Sequence, residues 1–258
     1  MKTILRLVVC LFIVQHSIHT NCQSKMVQIK GGEYVPLYGR NDAKVSIDDF
    51  LMDVYPVTNK EFLDFVKKHS NWQKSKAIKL FVDESYLRDW KTDTILSPNQ
   101  KLNSPITNIS WFAAKSYCEN QGKRLPTVDE WEYVAMANKT IPDARKLKTY
   151  NEFILSWYEK PKTFNLTIGS TFKNYWQVYD LHGLVWEWTS DFNSVLITGE
   201  SRKDVDKDSN LFCGSAAVNA TDLMNYAAFM RYAIRGSLKA KYTMKNLGFR
   251  CVKDFKVN

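Results

Sequence analysis

Residues 26–35, Met-Val-Gln-Ile-Lys-Gly-Gly-Glu-Tyr-Val, alternate apolar and polar positions around a Gly31-Gly32 break. A period of two interrupted by glycine predicts a strand with a bulge or turn. Val45–Val54 predicts a second strand region. The period then lengthens. Between Val57 and Lys68, residues Phe62, Phe65 and Val66 fall on one helical face behind a Thr58/Asn59 cap. Residues 70–104 are polar, lysine-rich and irregular apart from 77–87, and read as a surface excursion. A second helix runs between a Ser110 cap and Gly122, and a third opens on the capping box Thr127-Val-Asp-Glu130. Trp131, Val134 and Ala135 follow at helical spacing, and Lys123–Pro126 joins the two helices. Beyond 138 the periodicity fades into short aromatic runs and loops. A helix is expected from about Asp222, with Tyr226, Phe229 and Met230 inward, and a short strand in Asn246–Val252 closes a single domain spanning 25–258.

Composition adds two constraints. Of 258 residues, 45% are hydrophobic and 14% aromatic, enough for one sizeable, aromatic-rich core. The first 24 residues stand apart from that core. Lys2 and Arg6 precede the apolar run Leu7–Val14, which has the shape of a secretory signal and is too short for a permanent membrane span. Small residues at Cys22 and Ser24 favour cleavage before Lys25; the alternative is lipid attachment at Cys22, behind a poor lipobox. Removing Lys2 and Arg6 lowers the formal charge from +9 to +7. The remaining lysines are scattered, so a solvated basic surface outweighs nucleic-acid binding. No later segment is apolar enough to span a bilayer.

In an exported chain Cys118, Cys213 and Cys251 leave one disulfide and one spare thiol, and there is no CxxC. Past the signal only His69 and His182 remain, which argues against a histidine-rich metal centre. The most distinctive stretch is Asp180-Leu-His-Gly-Leu-Val-Trp-Glu-Trp188, an acid between two tryptophans. Its chemistry is open on residues alone: a carboxylate with a raised pKa, a structural acid on backbone amides or an arginine, or a metal ligand.

Four segments in order carry a specific resemblance. They are Tyr55–Phe62, Trp111–Tyr117 running into Gly122-Lys-Arg-Leu-Pro-Thr-Val-Asp-Glu-Trp-Glu-Tyr133, then Tyr179–Trp188, and Leu247-Gly-Phe-Arg-Cys251. Together they resemble the formylglycine-generating enzyme, or sulfatase-modifying factor, family over nearly the whole mature chain. The resemblance implies an α+β fold related to C-type lectins, a single domain with much irregular structure. It implies a disulfide between Cys118 and Cys251. It also implies a structural calcium ion held by Asp180, by the carbonyls of Gly183 and Val185, and by Glu187, although Leu184 and His182 depart from the family pattern. Oxygen ligands of this kind suit Ca²⁺.

The resemblance also implies where catalysis is missing. Copper-dependent members bind Cu(I) with two cysteines five apart, whereas here Cys213 stands alone and residues 214–250 hold no cysteine. No copper site is expected. Iron-dependent relatives use histidines of an additional helical domain that has no counterpart here. Cys213, Arg231 and Arg235 are candidates for the family's substrate groove, with the arginines either holding a carboxylate or peptide backbone or buttressing acidic side chains. The implied function is an exported accessory or maturation factor, periplasmic or secreted, acting on another exported protein or peptide. The alternatives are a lectin-like binding or structural module of a cell-envelope complex, and an oxidoreductase with an unrecognised metal.

Overall fold

The computed structural model describes residues 25–37, 43–193 and 223–255, without the side chains of 223–225. The expected signal segment, Cys22 and Cys213 lie outside the described residues. Mixed helix and sheet are joined by long irregular stretches, the α+β class expected from the sequence.

The strand pattern folds as its glycines dictate. β1 (Met26–Ile29) and β2 (Gly32–Tyr34) are separated at Gly31, where a Cβ would stand 2.1 Å from the Ile47 carbonyl oxygen. That approach forbids any side chain, so the chain turns there and changes sheets. β2 pairs antiparallel with β3 (Val45–Ile47). β1 pairs antiparallel with β4 (Phe50–Asp53), and β7 (Val252–Asp254) completes that sheet in the order β1-β4-β7. A short parallel pair joins β5 (Trp186–Glu187) to β6 (Leu247–Gly248).

Both capping boxes form. In α1 (Asn59–Lys68) the Glu61 amide donates to Thr58 Oγ1 at 3.2 Å and the Thr58 amide donates to Glu61 Oε2 at 2.8 Å. In α3 (Val128–Ala135) Thr127 and Glu130 do the same at 3.1 and 2.8 Å. Each box satisfies two amides that helix geometry leaves orphaned. α2 (Trp111–Asn120) starts on Ser110, whose hydroxyl accepts from the Ala113 amide, and gives way to Gly122 in the left-handed region.

α1 and α2 bury Phe62, Phe65 and Tyr117 against Phe249 in one aromatic core. The disulfide Cys118–Cys251 lies in that core with both cysteines fully buried. It closes a loop 133 residues long, stabilising by up to about 5 kcal/mol in the chain-entropy account. A second core packs Ile29, Phe50 and Met52 against Trp131 and Val134.

Three expectations change. Residues 70–104 are more than a surface excursion, because Ala77, Val82, Tyr86, Leu87 and Trp90 are buried in the first core. Backbone and side-chain bonds fix them there: the Leu87 amide donates to Asn108, and the Tyr86 hydroxyl donates to the Trp72 carbonyl. A helix not anticipated, α4 (Lys148–Tyr158), follows Leu147, which supplies no side-chain cap. With no start signal, aromatic periodicity alone did not announce it. In α5 (Leu223–Ser237) Phe229 is buried, but Tyr226 and Met230 are each 36% exposed, and the inward face carries Ala227, Ala228, Arg231 and Arg235. The two arginines, ion-paired with Glu132, share the interior with these alanines and Phe229.

Candidate functional site

Glu187 sits on β5 with its side chain fully buried, and Arg250, just beyond β6, meets it side-on. Arg250 Nη2 donates to Oε1 at 2.8 Å and Nε to Oε2 at 2.8 Å; Trp131 Nε1 donates to Oε2 at 2.8 Å. The remaining guanidinium hydrogens go to the carbonyls of Asp53, Val54 and Tyr179. Every N–H of Arg250 therefore has an acceptor, which is what a charge pair removed from water requires. The acid between two tryptophans is the counter-ion of a buried arginine. Its flanking rings differ: Trp188 is fully buried and donates to the Ile109 carbonyl, whereas Trp186 is only partly buried.

Asp180 turns the other way. Its carboxylate accepts from the amides of Gly169 and Thr171 and from the Thr171 hydroxyl. Burial pushes its pKa up, against the lowering effect of those bonds and of Arg250. Its φ of +62° and that of Gly183, +96°, bend the segment twice in four residues. At Gly183 a Cβ would meet Trp157 at 2.5–2.7 Å, through its Cγ, Cδ2 and Cβ, so the glycine is required by the tryptophan packed on the backbone.

This arrangement tests the calcium set directly. Both carboxylates receive N–H or O–H donors, and a fixed guanidinium stands among the ligands. Gly183 and Val185 line a cleft that contains Lys160 and Lys162 and, among the described residues, no acid. A divalent cation there would face donor hydrogens and positive charge. The residues described do not fit calcium, and among them no group of three or more His, Cys, Asp or Glu side chains could hold a metal ion.

Arg231 and Arg235 converge on one acid that sequence reasoning passed over, Glu132 of α3. Arg231 bonds it through Nε and Nη2, the latter at 2.7 Å, and Arg235 through Nη1 at 2.6 Å. Burial raises the Glu132 pKa, but the two guanidinium charges outweigh it and hold the carboxyl at about 2. A relay continues from this group. Arg231 Nη1 donates to the Tyr158 hydroxyl, which lies 3.3 Å from His182 Nδ1, and His182 Nε2 lies 2.8 Å from the Ala135 carbonyl oxygen. A carbonyl only accepts, so Nε2 carries the proton and Nδ1 accepts from Tyr158. Burial, with Arg231 nearby, drives the imidazole pKa down to about 3 and keeps it neutral. The arginines thus buttress Glu132 and tie α5 to α3 and α4.

The open chemistry lies beside this scaffold. A cleft of about 250 Å³ is walled by Trp157, Tyr158, Phe164 and Trp186 and edged by Lys160 and Lys162. Tyr158 and Trp186 lie 5.0 Å apart between ring centroids. Lys160 Nζ stands 3.6 Å above the Trp157 ring, on which Gly183 packs, and Lys245 stands over Phe164 at 5.4 Å. Asn246 also lines the cleft, and its side-chain amide meets no hydrogen-bond partner among the described residues. The tryptophan packed on Gly183 and the α4 wall were not legible beforehand. The one available signal was Trp157-Tyr158 near Lys160 and Lys162 in a region read as loops.

The Sulfatase-modifying factor enzyme 1-like domain matches residues 14–255. The chain belongs to the formylglycine-generating enzyme family. Among its relatives in this family, the "Inactive C-alpha-formylglycine-generating enzyme 2" of Bos taurus is 27% identical over 276 residues, covering 88% of this chain and 87% of the relative. The "Formylglycine-generating enzyme" of Mus musculus is 27% identical over 264 residues, covering 82% and 68%. PvdO from Pseudomonas aeruginosa aligns in structure with a TM-score of 0.48 at 15% identity, covering 89% of this chain and 94% of that one.

Proposed function

We propose that this family member is an exported accessory or maturation factor that holds a segment of another exported protein and carries out no copper-dependent cysteine oxidation. The observation that carries this reading is the solitary Cys213: residues 214–250 contain no second cysteine, so the paired soft ligands that Cu(I) oxidation of the family type needs are missing from the sequence. The family includes relatives named as inactive, at coverage above four-fifths of both chains. The open aromatic cleft beside Trp186 gives such a factor a surface on which to hold a partner. Export follows from the expected signal segment, with lipid attachment at Cys22 as the other outcome of processing. Among the described residues no helix is long and apolar enough to cross a membrane.

The test has two arms. Purified protein is loaded with Cu(I) and incubated with a cysteine-containing peptide in air, and the peptide is analysed by mass spectrometry; no formylglycine is expected, and turnover overturns the reading. Tagged protein is recovered from its own host and co-purifying exported proteins are identified; a stoichiometric partner is expected, and recovery of the chain alone counts against an accessory role.

A further inference from the structure

Three lysines surround the aromatic cleft without an acid to neutralise them. Lys160 and Lys162 lie on its lining, and Lys245 is next to Asn246. All three are exposed, and none has a carboxylate partner among the described residues. Six other described lysines do pair with acids, among them Lys123 with Asp53 at 2.7 Å, Lys30 with Asp49 at 2.9 Å and Lys60 with Asp64 at 3.1 Å. What sets this place apart is that three unpaired lysines edge one ring-lined cleft whose described lining holds no acid.

The cleft also offers shape. Trp157 is fixed from below by Gly183, and Tyr158 is fixed by Arg231 and His182, so two of its walls are held by buried structure. Walls whose rotamers are locked lose little entropy when a ligand arrives. Flat apolar rings take up an aromatic or aliphatic side chain, the unpartnered Asn246 amide takes up a main-chain or side-chain polar group, and the lysines take up carboxylates. A volume of about 250 Å³ holds one or two side chains, not a whole domain.

We infer that this cleft is the recognition site for an acidic peptide segment, in which an aromatic or aliphatic side chain enters the ring-lined pocket and flanking carboxylates meet Lys160, Lys162 and Lys245. This inference rests on the accessory-factor reading and supplies its specificity. Charge at the rim speeds encounter and rejects basic segments, while the buried side chain holds the complex.

The experiment uses the full chain and a synthetic acetylated peptide bearing a central phenylalanine flanked by aspartates. The comparison ligands are the same peptide with asparagine for aspartate, one with lysine for aspartate, and an oligosaccharide of uronic acids. Binding is read by calorimetry and by tryptophan fluorescence at two salt concentrations. The acidic peptide is expected to bind at least about tenfold more tightly than its asparagine counterpart and to weaken as salt rises. Lys160→Gln with Lys162→Gln is expected to remove most of that difference while lowering the melting temperature by no more than about 4 °C, the exposed contact of Lys160 with the Trp157 ring being the one interaction lost among the described residues. Equal binding of acidic and neutral peptides, unaltered binding by the lysine variants, or tighter binding of the uronic oligosaccharide overturns the inference. If the double variant still captures the native partner undiminished, the inference fails while the accessory reading survives. If the acidic peptide binds as expected but no partner co-purifies, the accessory reading fails and the cleft's specificity stands.

Discussion

Replacing Glu187 with glutamine removes one charge from a pair that has no exposure to solvent. The amide can accept from Trp131 or from Arg250, but it cannot neutralise the guanidinium. Arg250 cannot swing out to water either, because the carbonyls of Asp53 and Val54 at the end of β4, and of Tyr179, hold it from two segments. Breaking a buried pair on one side in this way costs about 3–5 kcal/mol. For a domain of this size each kcal/mol moves the melting temperature by roughly 2–4 °C, so Glu187→Gln is expected to melt about 6–20 °C lower. Calorimetry on the full chain, with calcium and with chelator, measures both parts of the argument. The wild type is expected to melt at the same temperature in either buffer, since Arg250 already supplies the positive charge. A loss below about 1 kcal/mol in the variant refutes the pairing energetics. A calcium-dependent rise in wild-type melting refutes the conclusion that the donor set does not fit the ion.

Glu132→Gln leaves two buried guanidinium groups sharing one neutral amide, and a loss of at least about 3 kcal/mol in denaturant unfolding is expected; Arg235→Gln, which keeps one full pair, is expected to cost less. Stability should fall on acidification in two windows. His182, neutral in the fold with its pKa at about 3, binds a proton only when unfolded between that value and 6.5, so its contribution is lost as pH drops through this range. Glu132, held at about 2, contributes fully above 4.5 and loses its contribution as pH falls toward 2. In a pH series of melts, His182→Gln should flatten the limb between 6.5 and 4.5, where one proton is worth about 1.4 kcal/mol per pH unit; an unchanged limb would sink the assignment. Gly183→Ala places a methyl group against Trp157 at a positive φ and is expected to lose about 1–3 kcal/mol and alter tryptophan fluorescence, whereas an alanine tolerated without either change would show that the ring is free to move.

The elements with local punctuation were legible: Thr58, Ser110 and Thr127 announce three helices, and Gly31 announces a break that the Ile47 carbonyl makes obligatory. The Cys118–Cys251 bridge, implied by the family resemblance, forms. What stayed hidden depends on partners far apart in sequence. Nothing near Glu187 in the chain says that its counter-ion is 63 residues away, and nothing near Arg231 points to Glu132, 99 residues before it. For the same reason the inward face of α5 was legible only in part: Phe229 is buried as expected, but Arg231 and Arg235, paired with Glu132, are buried where Tyr226 and Met230 are not. α4 lacked a cap, and with it went the wall of the cleft.

The last strand has a consequence for how the molecule comes into being. Residues 250–254 supply the guanidinium for Glu187, one half of the disulfide and the third strand of the sheet begun at residue 26. Until that strand docks, Glu187, the Cys118 thiol and the edge of β4 all lack their partners, so these contacts are made together and across long stretches of chain. The Cys118–Cys251 bridge then locks that docking across 133 residues, so reducing it is expected to loosen the sheet and the first core together.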